Sequence, residues 1–394
     1  MEFLSQKAIN LHQGAIRAMF DRAAGMEHVI SMGIGEPDLT TPELICRAGM
    51  EALRKGVTHY TPNAGTQSLR RAIAELSSLA PVSYDPDGEI IVTNGGMGAL
   101  SLLFLVILES GDEVLIQDPQ WLNYVAQVQY CGGRAVRVPT KAAEKFAMAP
   151  EEIEARITPR TKALMINSPN NPTGEILPLE RLEQIATVAK KHDLLVISDE
   201  VYHTLSYTDE RYHSIAELPG MKERTVVIDS FSKSYAMTGW RIGYAAGPRR
   251  IIDRMTKCQE NFNACANAPG QYAAEAALHH PELCLEIREV FAERRKLMLE
   301  GLRQVPGIRC GNAEGTFYLF PDVRQYGLDS TAFCQQLLEE EQVVCIPGSA
   351  FGECGEGHIR MSYTSAEPQL LEALQRLARF CEKRICLPCN KKGF

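Results

Sequence analysis

Short apolar runs at 89–93, 114–116, 163–167, 194–198 and 226–228 read as buried strands, and helical spacing separates them, most plainly over 179–191. Further helices are expected over 69–80 and from Ala99 onward. Strand and helix alternate in this way from about 90 to 245. That rhythm predicts a mostly parallel sheet with helices on both faces and its site at the strands' C-terminal ends. After Pro248 the pattern is helical to about Gln304. Short strands over 315–320, 343–346 and 357–363 then alternate with helices, as in a smaller α+β domain, and 347–352 reads as a turn between two of them. At the other end, Ile9, Ile16, Met19 and Phe20 fit an amphipathic helix, and 30–38 is a short strand running into a Gly/Pro turn.

Composition narrows this picture only a little. A chain of 394 residues suggests two domains. The net charge of −8 disfavours a life on nucleic acid or on an anionic membrane. The N-terminus has no signal-type apolar core, and the most apolar run, 99–108, is about half of the ~20 residues a spanning helix needs. A cytoplasmic location is therefore expected. The 12 cysteines are scattered and read as reduced thiols. Cys386 and Cys389 form a CxxC with no second pair nearby, so an incidental tail pair is favoured over a metal site, and no metal is expected.

The candidate chemistry concentrates in 225–248, TVVIDSFSKSYAMTGWRIGYAAGP. Lys233 follows a buried strand among hydroxyl residues, where poor solvation lowers an amine's pKa and frees it to form a Schiff base. Ser230, Ser232 and Arg241 offer donors to a phosphate. Amine and phosphate cradle together point to pyridoxal phosphate. Other segments agree in order. Gly35 allows a close backbone approach to a ligand, or merely turns the chain. Gly95, Gly96 and Met97 form a loop between strand and helix that aims backbone N–H groups at an anion. Trp121, just past a strand end, can stack on a flat ring or pack in the core. Asp199, closing an apolar strand, needs a partner such as a protonated pyridine nitrogen, unless it caps a helix. Arg360 sits in the last strand, where a solvated sheet face is the ordinary alternative.

SFSKSYAMTGWRIGY resembles the lysine segment of the fold-type I, class I/II aminotransferases, aspartate and aromatic aminotransferases among them. The resemblance runs from MGIGEPD through NNPTG to HIRMSYTSA. It implies a three-layer α/β sandwich for a large pyridoxal-phosphate domain over 46–285, a small α+β domain over 286–394, and an N-terminal arm, 1–45, that joins the small domain. It also implies roles. Lys233 carries the cofactor and moves the α-proton, Asp199 meets the ring nitrogen, and Asn171 and Tyr202 meet the phenolic oxygen. Arg360 and Gly35 hold the substrate carboxylate, with Trp121 and Asn171 beside it. Tyr60 reaches the neighbouring cofactor's phosphate in a homodimer. The reaction implied moves an amino group from an L-amino acid to a 2-oxo acid such as 2-oxoglutarate. Some relatives that act on aspartate carry a lysine where this chain has Met97, so an aromatic or neutral donor is favoured, with aspartate possible. A C–S β-lyase, or another fold-type I enzyme such as a cyclopropane synthase, would share the cofactor residues. An effector-binding module would need a basic DNA-binding segment, for which the chain has no spare length.

Overall fold

The computed structural model describes residues 3–4, 9, 14–77 and 80–385. In chain order the strands are β1 (Ile30–Ser31), β2 (Ile90–Thr93), β3 (Glu113–Asp118), β4 (Arg134–Pro139), β5 (Thr161–Asn167), β6 (Leu195–Asp199), β7 (Thr225–Ser230), β8 (Gly243–Ala246), β9 (Tyr318–Leu319), β10 (Val343–Val344), β11 (Ile346–Pro347) and β12 (Ile359–Ser362). One seven-stranded sheet has the order β2-β8-β7-β6-β5-β3-β4. Its neighbours from β7 to β4 run parallel, and β8 alone is antiparallel to both β2 and β7.

The pleat sends successive side chains to opposite faces. Val114, Ile116, Met165, Ile197, Val226 and Ile228 pack on one face with Leu100, Leu103 and Phe104 of the helix Gly95–Ile107. Leu115, Leu164, Ile166 and Val196 take the other face, against Leu182, Ile185 and Ala189 of the helix Leu179–Lys191. Ile90, Val92, Val227 and Tyr244 extend that second layer over the helices Gln67–Leu76 and Ala268–Leu278. Both faces are thus covered, which is why the strands read as unbroken apolar runs.

A second core lies beyond this sheet. β11, β12 and β9 form a three-stranded antiparallel sheet, and β1 pairs in parallel with β10. Phe291, Phe317, Phe333, Leu337 and Phe380 join these strands to the helices Pro281–Gln304, Ser330–Glu341 and Glu367–Ile385. Met19 of the helix Ala15–Ala23 and Met32 belong to the same core. Arg294 grips Asp38 with two bonds, at 2.6 and 3.1 Å, and donates to the Thr364 carbonyl at 2.8 Å. The chain's N-terminal segment is thereby fastened to its C-terminal part.

Several expected boundaries shift, each for a local reason. The helix expected over 69–80 runs over Gln67–Leu76 and stops where the Ser77 hydroxyl bonds back to the Ile73 carbonyl. The helix expected from Ala99 starts at Gly95, so the glycine loop is itself the helix's first turn, with Gly95 at φ +73°. The strand expected over 315–320 shortens to β9, and 343–346 divides between β10 and β11, which pair with different strands. The turn expected over 347–352 contains the 3₁₀ turn Gly348–Phe351. Of the N-terminal apolar positions, Met19 is buried, Phe20 half-buried and Ile9 exposed, while the side chain of Ile16 lies outside the described residues. Cys386 and Cys389 also lie outside them. Among the described residues no helix is long and apolar enough to cross a membrane, and no cluster of His, Cys, Asp or Glu is grouped to hold a metal ion.

One crowded crossing sets the relation between sheet and first helix. A Cβ on Gly243 would meet Gly96 N at 2.6 Å, Gly95 C at 2.7 Å and the Asp229 carbonyl at 2.8 Å, all backbone atoms that cannot step aside. Gly243→Ala is expected to lower the unfolding free energy by about 2–3 kcal/mol, the cost of forced overpacking. Denaturant titration of the two proteins checks it, and an unchanged midpoint would show that the crossing has slack.

Candidate active site

β7 is buried along its whole length and ends at Ser230. The Ser230 hydroxyl accepts the Ser232 N–H at 3.1 Å and so caps the four-residue helix Phe231–Ser234. This turn, not the strand end itself, carries Lys233 into a cavity of about 410 Å³. Lys233 Nζ donates to the Gly35 carbonyl at 2.7 Å. Burial lowers its pKa to about 8, the nearby Glu36 carboxylate opposes that shift, and the Arg241 and Arg360 cations add to it. The amine is therefore appreciably neutral near neutral pH, whereas in the unfolded chain it would stay protonated to about 10.5. The lowered amine expected from sequence is present.

One end of the cavity is an anion cradle. Gly96 and Met97 in the first turn of the helix Gly95–Ile107, with Ser230, Ser232 and Arg241, line it together. The first N–H groups of a helix have no partner within it. Arg241 is held in the left-handed region (φ +56°) and donates from Nη1 to the Thr238 carbonyl at 2.9 Å. Gly95 does not line the cavity but lets Arg241 close over it, since a Cβ there would meet Arg241 Nη2 at 2.6 Å. Met97 turns its sulfur to the amides of Asn123 and Gln127, leaving main chain toward the cradle. Two hydroxyls, helix N–H groups and a guanidinium fit a phosphate dianion.

Across the cavity, the registers Asn167↔Asp199 and Asp199↔Ile228 bring the strand ends level. Asp199 is 3% exposed, and burial raises its carboxyl to about 6. Two bonds hold that rise down: the Tyr124 hydroxyl donates to Oδ2 at 2.6 Å and the Val201 N–H to Oδ1 at 3.3 Å. Tyr202 is buried with its hydroxyl 3.3 Å from that of Tyr318. Trp121 stands half-buried in the wall, edge to face with Tyr124 at 5.2 Å. Gly35 sits so close to Tyr318 that a Cβ would meet the phenol oxygen at 2.3 Å.

Arg360 is 2% exposed. Its Nη1 donates to Asn171 Oδ1 at 3.0 Å and its Nη2 to the Gly33 carbonyl at 2.7 Å, while Nε has no partner. Its guanidinium lies 4.4 Å from the Tyr318 ring centre and 4.9 Å from that of Phe351. Among the described residues no carboxylate lies within ion-pair distance, and burial pushes its pKa down. A buried charge without a counter-ion is costly. A carboxylate that enters the cavity supplies one, in the two-pronged geometry guanidinium suits.

The structure gathers Gly35, Gly96, Met97, Trp121, Asn171, Asp199, Tyr202, Ser230, Ser232, Lys233, Arg241 and Arg360 around one cavity. It does not bring Tyr60 there: that side chain is 88% exposed. Sequence reading missed Tyr124, Tyr318, Asn167 and Gly33. Tyr124 lies three residues past Trp121, one helical turn on, and so carried a signal. Asn167 closes β5 just as Asp199 closes β6. Tyr318 faces Arg360 through the β9–β12 pairing, a long-range contact that no local pattern announces.

A sequence model of the family described as Aminotransferase class I and II matches residues 27–377. The chain is similar to an aspartate aminotransferase of Pyrococcus abyssi, at 42% identity over 97% of this chain and 99% of that one. It is similar to aromatic-amino-acid aminotransferase 2 of Thermococcus litoralis, at 40% identity with the same coverage. Its fold matches the aspartate aminotransferase of Thermus thermophilus solved with maleate, with a TM-score of 0.91, 38% identity, and 96% and 100% of the two chains covered.

Reductive methylation of the ligand-free protein checks the state of Lys233, because only a neutral amine reacts. Its rate, read by peptide mass spectrometry, is expected to climb about tenfold per pH unit and level off near pH 8, while exposed lysines keep climbing toward 10.5. A Lys233 rate that climbs with the others would remove the burial effect.

Proposed function

The chain belongs to the class I and II aminotransferase family and is an aminotransferase, and from that premise we propose that it uses pyridoxal phosphate to move the amino group of an aromatic or neutral L-amino acid to a 2-oxo acid such as 2-oxoglutarate. One observation carries this reading: an amine lowered toward neutrality, Lys233, shares a cavity with a buried guanidinium that lacks a counter-ion, Arg360.

The residues fit the cofactor. Ser230, Ser232, Arg241 and the N–H groups at Gly96 and Met97 would hold its phosphate, with Gly95 giving Arg241 room. Asp199 would face the ring nitrogen, Asn171 and Tyr202 the phenolic oxygen, and Trp121 the ring. Lys233 would carry it. Bound there, pyridoxal phosphate supplies an aldehyde that takes up amines and a ring that accepts the electron pair left by a departing α-proton. Tyr124, by donating to Asp199, favours the carboxylate, which is the form that keeps a pyridine nitrogen protonated. Arg360 receives the amino acid's α-carboxylate beside the Gly35 backbone. Lys233 Nζ, whose burial favours the neutral form, would then accept the α-proton and return it.

The donor class follows from the cations. Besides Lys233 and Arg360, Arg241 is the one cation of the described residues lining the cavity, and it closes the phosphate cradle. Phe20, Ile34 and Leu100 complete an apolar wall, which suits an aromatic or neutral side chain, with aspartate a weaker donor. The enzyme is taken to be a cytoplasmic homodimer in which the exposed Tyr60 reaches the other copy's phosphate. Its large domain is taken as 46–285, with 286–394 and the arm 1–45 forming the smaller one.

Holoenzyme given one amino acid at a time, with no oxo acid, is expected to release one equivalent of the matching 2-oxo acid per site, aromatic and neutral donors leading. Mass spectrometry of the products measures it. Continuous release of pyruvate and ammonia from cysteine conjugates, with no such equivalent, would instead establish a β-lyase. Arg360→Met removes the carboxylate's partner and should lower kcat/KM by about a hundredfold or more, the scale of losing one partner of a buried charge pair. Steady-state kinetics with the best donor decide it, and an unchanged kcat/KM would place the carboxylate elsewhere.

A further inference from the structure

Tyr318 and Tyr202 reach the cavity from different parts of the fold. Tyr318 stands on β9 of the small antiparallel sheet, and Tyr202 follows the end of β6 in the large one. Their rings meet edge to face with centres 5.9 Å apart, and their hydroxyls are 3.3 Å apart. Among the described residues each hydroxyl has the other as its hydrogen-bond partner. Two hydroxyls carry two protons, and the bond between them uses one. The other proton is left for whatever enters the cavity that both residues line.

The surroundings decide which residue keeps it. The Tyr318 oxygen is hemmed in by Gly35, whose carbonyl already accepts from Lys233. The Arg360 guanidinium lies 4.4 Å from the centre of the Tyr318 ring. Burial raises both phenols, and at Tyr202 the neighbouring Tyr318 and Asp199 add to the rise, whereas at Tyr318 the Arg360 cation is the main opposing influence. Tyr318 is therefore the stronger acid of the pair and the better donor. It donates to Tyr202, and an accepted bond makes the Tyr202 O–H a stronger donor in turn.

We propose that Tyr318 is a positioning residue for the aminotransferase reaction: its hydroxyl holds Tyr202 so that the Tyr202 proton meets the cofactor's phenolic oxygen, and its ring carries the Arg360 cation that receives the substrate carboxylate. The proposal rests on the roles given above to Tyr202 and Arg360. Its second half follows from burial. Arg360 bonds a carbonyl and an amide oxygen but no carboxylate, so the faces of Tyr318 and Phe351 are what offset its charge until a carboxylate arrives. The two halves belong to different atoms of one side chain, so substitution can separate them.

Two measurements on the holoenzyme test this: the pH midpoint of its visible absorbance, and its affinity for 3-phenylpropionate, a carboxylate that has no amino group to react. A donor on the phenolic oxygen favours the deprotonated form of the bound chromophore, so losing that donor's support raises the midpoint. Tyr318→Phe is expected to raise it by about half a pH unit, the scale of one neutral hydrogen bond. The same variant keeps the ring and should bind 3-phenylpropionate within about twofold of the native enzyme. In a Tyr202→Phe background, Tyr318→Phe should move the midpoint no further, because no hydroxyl remains to be held. Tyr318→Leu should raise the midpoint likewise and also weaken 3-phenylpropionate by about tenfold, the scale of a buried cation–π contact.

A native midpoint in Tyr318→Phe, or an equal shift with and without the Tyr202 hydroxyl, would overturn the proposal while leaving the cofactor assignment intact. Native affinity for 3-phenylpropionate in Tyr318→Leu would also overturn it. If Tyr318→Leu fails to fold, the Phe variant and the double variant decide. A midpoint unmoved by Tyr202→Phe itself would remove the role given to Tyr202, and this proposal with it.

Discussion

Everything in this site depends on a sheet that is buried on both faces. Inside such a sheet a polar side chain has nowhere to put its hydrogen bonds, so polar residues collect where strands end. Because β3, β5, β6 and β7 run parallel, those ends share one edge, and the antiparallel β8 starts there as well. Gln117 and Asp118, Asn167, Asp199 and Ser230 are the last polar residues of four neighbouring strands. The register then places them within reach of one another with no need for a flexible loop to do so.

The same burial sets the electrostatics. Removing charges from water favours the neutral form of an amine and of a carboxyl alike, so Lys233 moves down and Asp199 up, each toward neutral pH. Where a group must stay charged, the structure provides a bond that says so, as Tyr124 does for Asp199. Arg360 is the exception, a buried cation with no ion pair among the described residues. It is supported by a carbonyl, an amide oxygen and two aromatic rings, none of which cancels its charge.

The glycines show how tight the arrangement is. Gly35 admits Tyr318, Gly95 admits Arg241, and Gly243 admits the first turn of a helix. At Gly35 a single methyl would strike the Tyr318 phenol, at Gly95 the Arg241 guanidinium, and at Gly243 the backbone of the helix that carries Gly96 and Met97. Of these, Gly95 also takes a left-handed φ, so its residue type is required twice over.

Much of this was legible before any coordinates. Apolar runs marked the sheet, helical spacing between them marked its covering layers, and the polar residues closing those runs marked the site. Those signals are local, because burial and strand ends leave their imprint within a few residues. The lysine segment and NNPTG went further and gave the family. Tertiary structure alone decided which distant groups meet. That Tyr318 lies under Arg360 follows from β9 pairing with β12, and that Lys233 bonds the Gly35 carbonyl follows from the N-terminal segment joining the C-terminal core. It also turned a presumed glycine loop into the first turn of a helix, with Gly95 taking the left-handed φ that swings the chain from β2 into it. Sequence determined which polar residues would sit in buried surroundings, because their type conflicts with the apolar runs they close. Only the fold decided their partners, because contacts between residues a hundred positions apart depend on register and packing that no local pattern encodes.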